Sequence, residues 1–217
     1  MKLRVRLGIA ERRQRQLSRF FQLSLVGFLF VGLYETDLGV TVNAGVALAI
    51  TTLPAVLERD YQIPMDAGLT LWITGAVFLH ALGTVGLPGM EASFYQAVWW
   101  WDHLTHALSA SIVAGAGYAT ARALDEHLEE LYFPPAFTFV FLLMLTIAFG
   151  VAWEVLEFAL SELSGAVGAP PALTQYGVGD TLLDLLFDAA GAVVVATWGT
   201  AHLAGVTEAL QMRLDGS

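Results

Sequence analysis

Six apolar stretches in this 217-residue chain are each long enough to cross about 30 Å of hydrocarbon as a helix. They fall near residues 18–35, 38–57, 67–86, 97–121, 134–162 and 179–203. Asp37-Leu38-Gly39 breaks the first pair, and Arg59 to Asp66 breaks the second. Leu87-Pro88-Gly89 ends the third stretch. Pro134-Pro135 opens the fifth, where a first helical turn tolerates proline. A Gly/Pro-rich loop from Gly165 to Gly179 leads into the sixth. Charged residues make up 14% of the chain, against about 25% in a soluble domain. Mean hydropathy is +0.63. These features exclude a disordered chain and argue against a soluble one. They predict an all-α, polytopic membrane protein: one six-transmembrane-helix bundle without internal repeat.

The bases orient the bundle. Lys2, Arg4, Arg6, Arg12, Arg13, Arg15 and Arg19 precede the first span, Arg59 follows the second, Arg122 the fourth and Arg213 the sixth. All ten fall on one side, which the positive-inside rule assigns to the cytoplasm of a multi-pass cell-membrane protein with both termini inside. The chain divides into a basic cytoplasmic surface segment, 1–19, a transmembrane domain, 20–203, and a cytoplasmic tail, 204–217. The first span reads as an uncleaved signal anchor, because Val31-Gly32-Leu33-Tyr34-Glu35 is a poor cleavage site. The basic segment is expected to lie along the lipid bilayer, held by anionic headgroups. Cysteine is absent, which excludes disulfides and thiol chemistry. Twenty acids against ten bases argue against a nucleic-acid partner, and with the Lys-poor, Ala/Gly-rich composition they suggest a halophile-like or high-GC source.

The acids divide evenly between the two sides. Ten lie on the side of the bases and balance them. The other ten are Glu35, Asp37, Glu91, Asp102, Glu154, Glu157, Glu162, Asp180, Asp184 and Asp188, and no Lys or Arg accompanies them. Six of these lie within predicted helices. The fourth span carries Trp101-Asp102-His103-Leu104-Thr105-His106, the fifth Trp153-Glu154-Val155-Leu156-Glu157, and the sixth Asp180, Asp184 and Asp188. At about 1.5 Å of rise per residue, His106, Glu154 and Asp188 sit roughly 12–14 Å below the outer surface. Asp102, Glu157 and Asp184 sit roughly 5–9 Å below it. Spacings of three or four residues put each set on one side of its helix. Those sides must face the bundle interior, because a carboxylate facing lipid is costly.

Ionised acids cannot be buried unpartnered. Water, protonation or a cation must compensate, and the adjacent histidines favour a divalent metal ion. Carboxylate with imidazole suits zinc, iron or manganese, and carboxylate alone suits magnesium or calcium. The expected ligands are Asp102, His103, His106, Glu154, Glu157, Asp184 and Asp188. A plainer reading, helix capping or hydration, stands beside the ligand reading for Asp102 and for Asp180, which follows Gly179. His80 reads as a hydrogen-bonded core residue, and His127 and His202 as structural. Asn43 either joins the site or bonds another helix. Phe94, Tyr95, Trp99, Trp100 and Trp101 read as an interfacial aromatic belt, as do Trp72 and Trp198 at the other side. Glu126, Glu129 and Glu130 read as a solvated face.

The Asp102-His103-Leu104-Thr105-His106 helix, the Glu154-Val155-Leu156-Glu157 helix and Gly179-Asp180 followed by Asp184 and Asp188 together resemble the YjdF-type inner-membrane proteins, a family of unknown function. The lead-in Thr174-Gln175-Tyr176-Gly177 is similar as well, and a more distant similarity is to VanZ-like proteins. The resemblance covers roughly residues 97–192 and implies a shared site without naming a reaction.

Three functions fit these residues. The first is a metal-dependent hydrolase acting on a lipid or amphiphilic substrate, with Glu157 as general base, His106 beside it and the loop 163–178 as a lid or entrance. The second is a cation or proton transporter, which would need a polar route through the other half of the bundle. The third is a non-catalytic protein whose metal or carboxylate cluster ties helices together. The enzyme alone requires a ligand-sized cavity beside the cluster.

Overall fold

The structure is a computed structural model that describes residues 9–86, 92–128, 130–168, 171, 173, 175–198 and 203–215. Lys2, Arg4, Arg6, the Leu87-Pro88-Gly89 break, Glu91, Glu129, Thr174 and His202 lie outside the described residues, as do the side chains of Trp198 and Asp215. The described chain is all-helical. Its elements are α1 (Glu11–Glu35), α2 (Leu38–Thr51), α3 (Leu53–Tyr61), α4 (Ala67–Gly83), α5 (Phe94–Ala97), α6 (Trp101–His127), α7 (Pro135–Val167), α8 (Val178–Trp198) and α9 (Ala204–Asp215).

Local chemistry sets the boundaries. Thr36 adopts a left-handed conformation at φ 56° to end α1, and the Asp37 carboxylate then caps α2 by accepting from the Val40 amide at 3.0 Å. Asp66 caps α4 in the same way through the Leu69 amide at 2.8 Å. Pro54 lacks the N–H that would continue α2, so the helix breaks at Thr52 and restarts as α3. Pro135 occupies the first turn of α7, where its missing N–H is harmless.

Among the described residues, three segments are long and apolar enough to cross a membrane: Glu11–Glu35, Leu38–Tyr61 and Pro135–Val167; α4 is a shorter apolar helix. That is fewer than the six spans expected, and the reason lies in the other two long helices. Helices α6 and α8 have 27 and 21 residues, roughly 40 and 31 Å of helix. Their length suffices, but α8 carries three aspartates and α6 is rich in alanine, glycine, hydroxyls and histidine.

Helix α6 is the hub, packed on α4, α7, α8 and α9, with its most extensive interface to α8. Small residues allow that approach: a Cβ on Gly191 would overlap the Ala107 carbonyl oxygen and come within 3.1 Å of the Ser111 amide. Two apolar clusters hold the bundle. One joins Ala114 and Tyr118 of α6 to Leu142 of α7, Ala192 and Val195 of α8, and Leu203, with Trp72 of α4 against it. The other joins Leu25 of α1, Ala47 of α2, and Phe78 and Ala81 of α4, with Phe21 stacked on Phe78 at 4.3 Å.

At the end of the bundle away from the α6 N-terminus, α9 ties several elements together. Arg213 donates to the Tyr61 and Asp60 carbonyls at 2.7 and 3.2 Å and lies over the Tyr61 ring. Gln211 donates to the Glu126 carbonyl at 3.4 Å. Arg122 pairs with Asp125 and Glu126 at 2.6 and 2.5 Å, so Glu126 is paired as well as exposed. Arg59, Arg122 and Arg213 thus share one end.

A Gly191→Ala variant should lose about 1–3 kcal/mol through the α6–α8 clash. Gly27→Ala, where a Cβ meets nothing within 4 Å, should change stability by less than about 1 kcal/mol. Thermal unfolding of both purified variants in the same detergent checks the contrast.

Candidate metal centre

Helices α6 and α8 start at the same end of the bundle, and α7 finishes there, so the first turns of α6 and α8 face the last turns of α7. This brings the sequence-derived residues together. His103 Nδ1 lies 2.7 Å from Asp184 Oδ1, and both side chains are buried. One turn deeper, His106 sits among three carboxylates. Its Nδ1 is 3.3 Å from Asp188 Oδ1, and its Nε2 is 3.7 Å from Glu154 Oε1 and 3.8 Å from Asp102 Oδ1. His103, His106, Glu154, Glu157, Asp184 and Asp188 are all buried. Among the described residues, the ion pairs of these carboxylates are with histidine alone.

Among the described residues, two sets of side chains bring one ligand atom each to within 4.8 Å of one another: Asp102, His106 and Asp184, and His103, Asp180 and Asp184. Asp184 belongs to both. The donors are carboxylate oxygens and imidazole nitrogens, the set suited to zinc, iron or manganese. The carboxylate on His103 Nδ1 is the arrangement that fixes an imidazole's tautomer beside a metal. Two buried oxygens, Glu154 Oε1 and Asp188 Oδ2, have no hydrogen-bond partner among the described residues. Such orphaned acceptors are what a bound cation or a donor would satisfy.

Glu154, Glu157 and Asp188 stand outside both sets. Glu154 and Asp188 reach the centre through His106. Glu157 Oε1 accepts from Trp153 Nε1 at 2.8 Å, one turn back on α7. Gly150 lets Asp188 come close, since a Cβ there would overlap the Asp188 carboxylate.

Several partners escaped the sequence reading. Thr181 Oγ1 donates to Glu154 Oε2 at 2.7 Å, and Gln175 Nε2 donates to Thr181 Oγ1 at 3.3 Å. Thr181 follows Asp180 directly, and its position one turn before Asp184 was the available signal. Asp180, equally readable as a cap, falls in a cation-sized set. Tyr176 precedes α8; burial, then the carboxylates of Asp102, Asp180 and Glu157, push its phenol above the usual range.

The aromatic belt is corrected in part. Trp99 and Trp100 are exposed, but Trp101 is buried and donates to the Leu79 carbonyl at 3.1 Å. Tyr95 turns inward, its hydroxyl 2.8 Å from His80 Nδ1, and burial raises its phenol so that it stays protonated. His80 Nε2 lies 3.2 Å from Asn43 Oδ1, which makes His80 a hydrogen-bonded core residue and Asn43 an inter-helix partner. Trp72 donates to Ser111 Oγ at 3.0 Å instead of standing at an interface.

The family model described as "Predicted membrane protein (DUF2238)" matches residues 17–205. An uncharacterized protein of Thermotoga maritima is 28% identical over 143 residues, covering 66% of this chain and 67% of its own. No solved structure matches.

Replacing Asp184 by Leu leaves the buried His103 Nδ1 unpartnered. In chelator, Asp184→Leu should be less stable than Asp184→Asn by about 1–3 kcal/mol, as read by thermal unfolding in detergent.

Proposed function

We propose that this chain, which belongs to the DUF2238 family of predicted membrane proteins, is a metal-dependent membrane hydrolase acting on a lipid or amphiphilic substrate. The carrying observation is the convergence of Asp102, Asp180, Asp184, Asp188 and Glu154 on His103 and His106; among the described residues no Lys or Arg pairs with them, and two carboxylate oxygens have no hydrogen-bond partner. Asp102, His106 and Asp184, with His103 and Asp180 beside them, hold a divalent cation of the zinc, iron or manganese type. Bound there, the cation would polarise a phosphoryl or acyl oxygen and lower the pKa of an attacking water. Glu157, oriented by Trp153, is the general base.

The same reading has six spans, with α2 and α3 forming one and α4, α6 and α8 completing the bundle in the cell membrane. Both termini are cytoplasmic. Support comes from Arg59, Arg122 and Arg213 sharing the end that α9 ties together, the opposite end from the acidic cluster. Anionic headgroups hold the basic N-terminal segment.

Two observations favour catalysis over transport. Below the cluster, α6, α7 and α8 pack on the mostly apolar core of Ala114, Tyr118, Leu142, Ala192 and Val195, which offers little to a polar route. Beside the cluster lies a cavity of about 510 Å³ that His106 and Asp188 line, in the range of about 300–1,000 Å³ for small-molecule sites.

Metal content by mass spectrometry, on protein purified in detergent without chelator, tests the reading. Wild type should carry stoichiometric metal, and His106→Ala and Asp184→Asn should lose it. Glu157→Gln should keep the metal and lose about 10²-fold or more of phosphate or fatty-acid release from lipid substrates. Folded wild type without metal would overturn the proposal.

A further inference from the structure

The cavity beside the cluster has two unlike ends. Its body is apolar, walled by α2, α4, α6 and α7, with buried Ala47, Ile73 and Ala110 at the back. Its mouth is framed by Val46 and Ile50 on α2 and Phe149 and Leu156 on α7, all exposed on faces that meet lipid chains in a membrane. Its inner end is polar. His106, Thr146 and Asp188 line it, all more than nine-tenths buried, and Thr146 Oγ1 and Asp188 Oδ2 have no hydrogen-bond partner among the described residues. Gly150 completes that end, because any side chain there would displace the Asp188 carboxylate.

We propose that this cavity binds one alkyl chain of an amphiphile that enters sideways from the bilayer between α2 and α7, with the polar group bonded to that chain placed at His106, Thr146 and Asp188. Three features of the site select this ligand. The walls are mostly apolar, and the polar residues Asn43, His80 and Thr105 among them already bond within the bundle, which suits a hydrocarbon chain. The volume suits one drug-sized molecule and not both chains of a lipid with its headgroup. The orphaned Thr146 hydroxyl and Asp188 oxygen call for a polar partner at one end only. The proposal rests on the hydrolase reading for the fate of the polar group, and it adds the number of chains, the route and the placement.

Photolabelling of the full chain in phosphatidylcholine nanodiscs tests it, with EDTA present so that metal plays no part. One arm uses palmitic acid carrying a mid-chain diazirine, and the other uses phosphatidylcholine with the diazirine on one chain. Label is expected on buried Ile73 and Ala110, which a lipid outside the bundle does not touch. Unlabelled palmitic acid should compete in the first arm. Label in the palmitic-acid arm alone identifies a free single-chain amphiphile, and interior label in both arms identifies one chain of a bilayer lipid; either supports the cavity.

Ser109→Trp, at an exposed position lining the cavity, should cut interior label about tenfold. Val46→Trp at the mouth should do the same and serves if the first variant does not fold. Label confined to lipid-facing Leu23, Phe30 and Met144, unchanged by either variant, overturns the proposal. Interior label in a protein that binds no metal sinks the hydrolase and leaves the cavity. Stoichiometric metal without interior label sinks the cavity alone.

Discussion

An ionised carboxylate in a low-dielectric bundle must find a positive partner, water or a proton, and here four carboxylates meet two histidines, with no lysine or arginine paired to them among the described residues. Much of the structure follows from gathering them. Helices α6 and α8 must lie nearly in backbone contact, so Gly191 faces the Ala107 carbonyl and α6 is lined with alanine, serine and glycine. Helix α7 must bring Glu154 over His106 without pushing Asp188 away, so position 150 is glycine. These small and polar residues lower the hydropathy of α6, and three aspartates set α8 apart from an ordinary span. The site and the atypical composition of its helices are one fact seen at two scales.

The fold was legible where backbone chemistry is local. Asp37, Asp66, Pro54 and Pro135 mark boundaries by capping or by a missing N–H, and each expected stretch holds a helix, although α1 starts at Glu11 instead of 18 and α6 runs to His127 instead of 121. The grouping at the site was legible too, because i,i+3 and i,i+4 spacing fixes which residues share a helix face. Rotation of one helix against another is not written in spacing. That is why Trp101 and Tyr95, plausible interfacial aromatics by sequence, prove to point inward to Leu79 and His80. Thr181 was missed because its place one turn before Asp184 does not name the carboxylate it serves, which lies 27 residues away on another helix. The cavity was unreadable for a related reason: its walls are the same alanine, valine and isoleucine that fill every span.

The proposed reaction needs two kinds of access, and the site has one on each side of His106. Glu154 connects through Thr181 to Gln175, in the loop that precedes α8 at the end of the bundle. Asp188 connects to the apolar cavity that opens between α2 and α7. Hydrolysis combines a water, which reaches such a site from the polar end, with a substrate that an apolar, laterally open cavity draws from the bilayer. In the same proposal, conduction would require polarity to continue along the bundle axis, where Leu142, Tyr118 and Val195 form a buried, mostly apolar cluster. The placement of polar and apolar surfaces around one histidine therefore favours chemistry at a meeting point over passage through it.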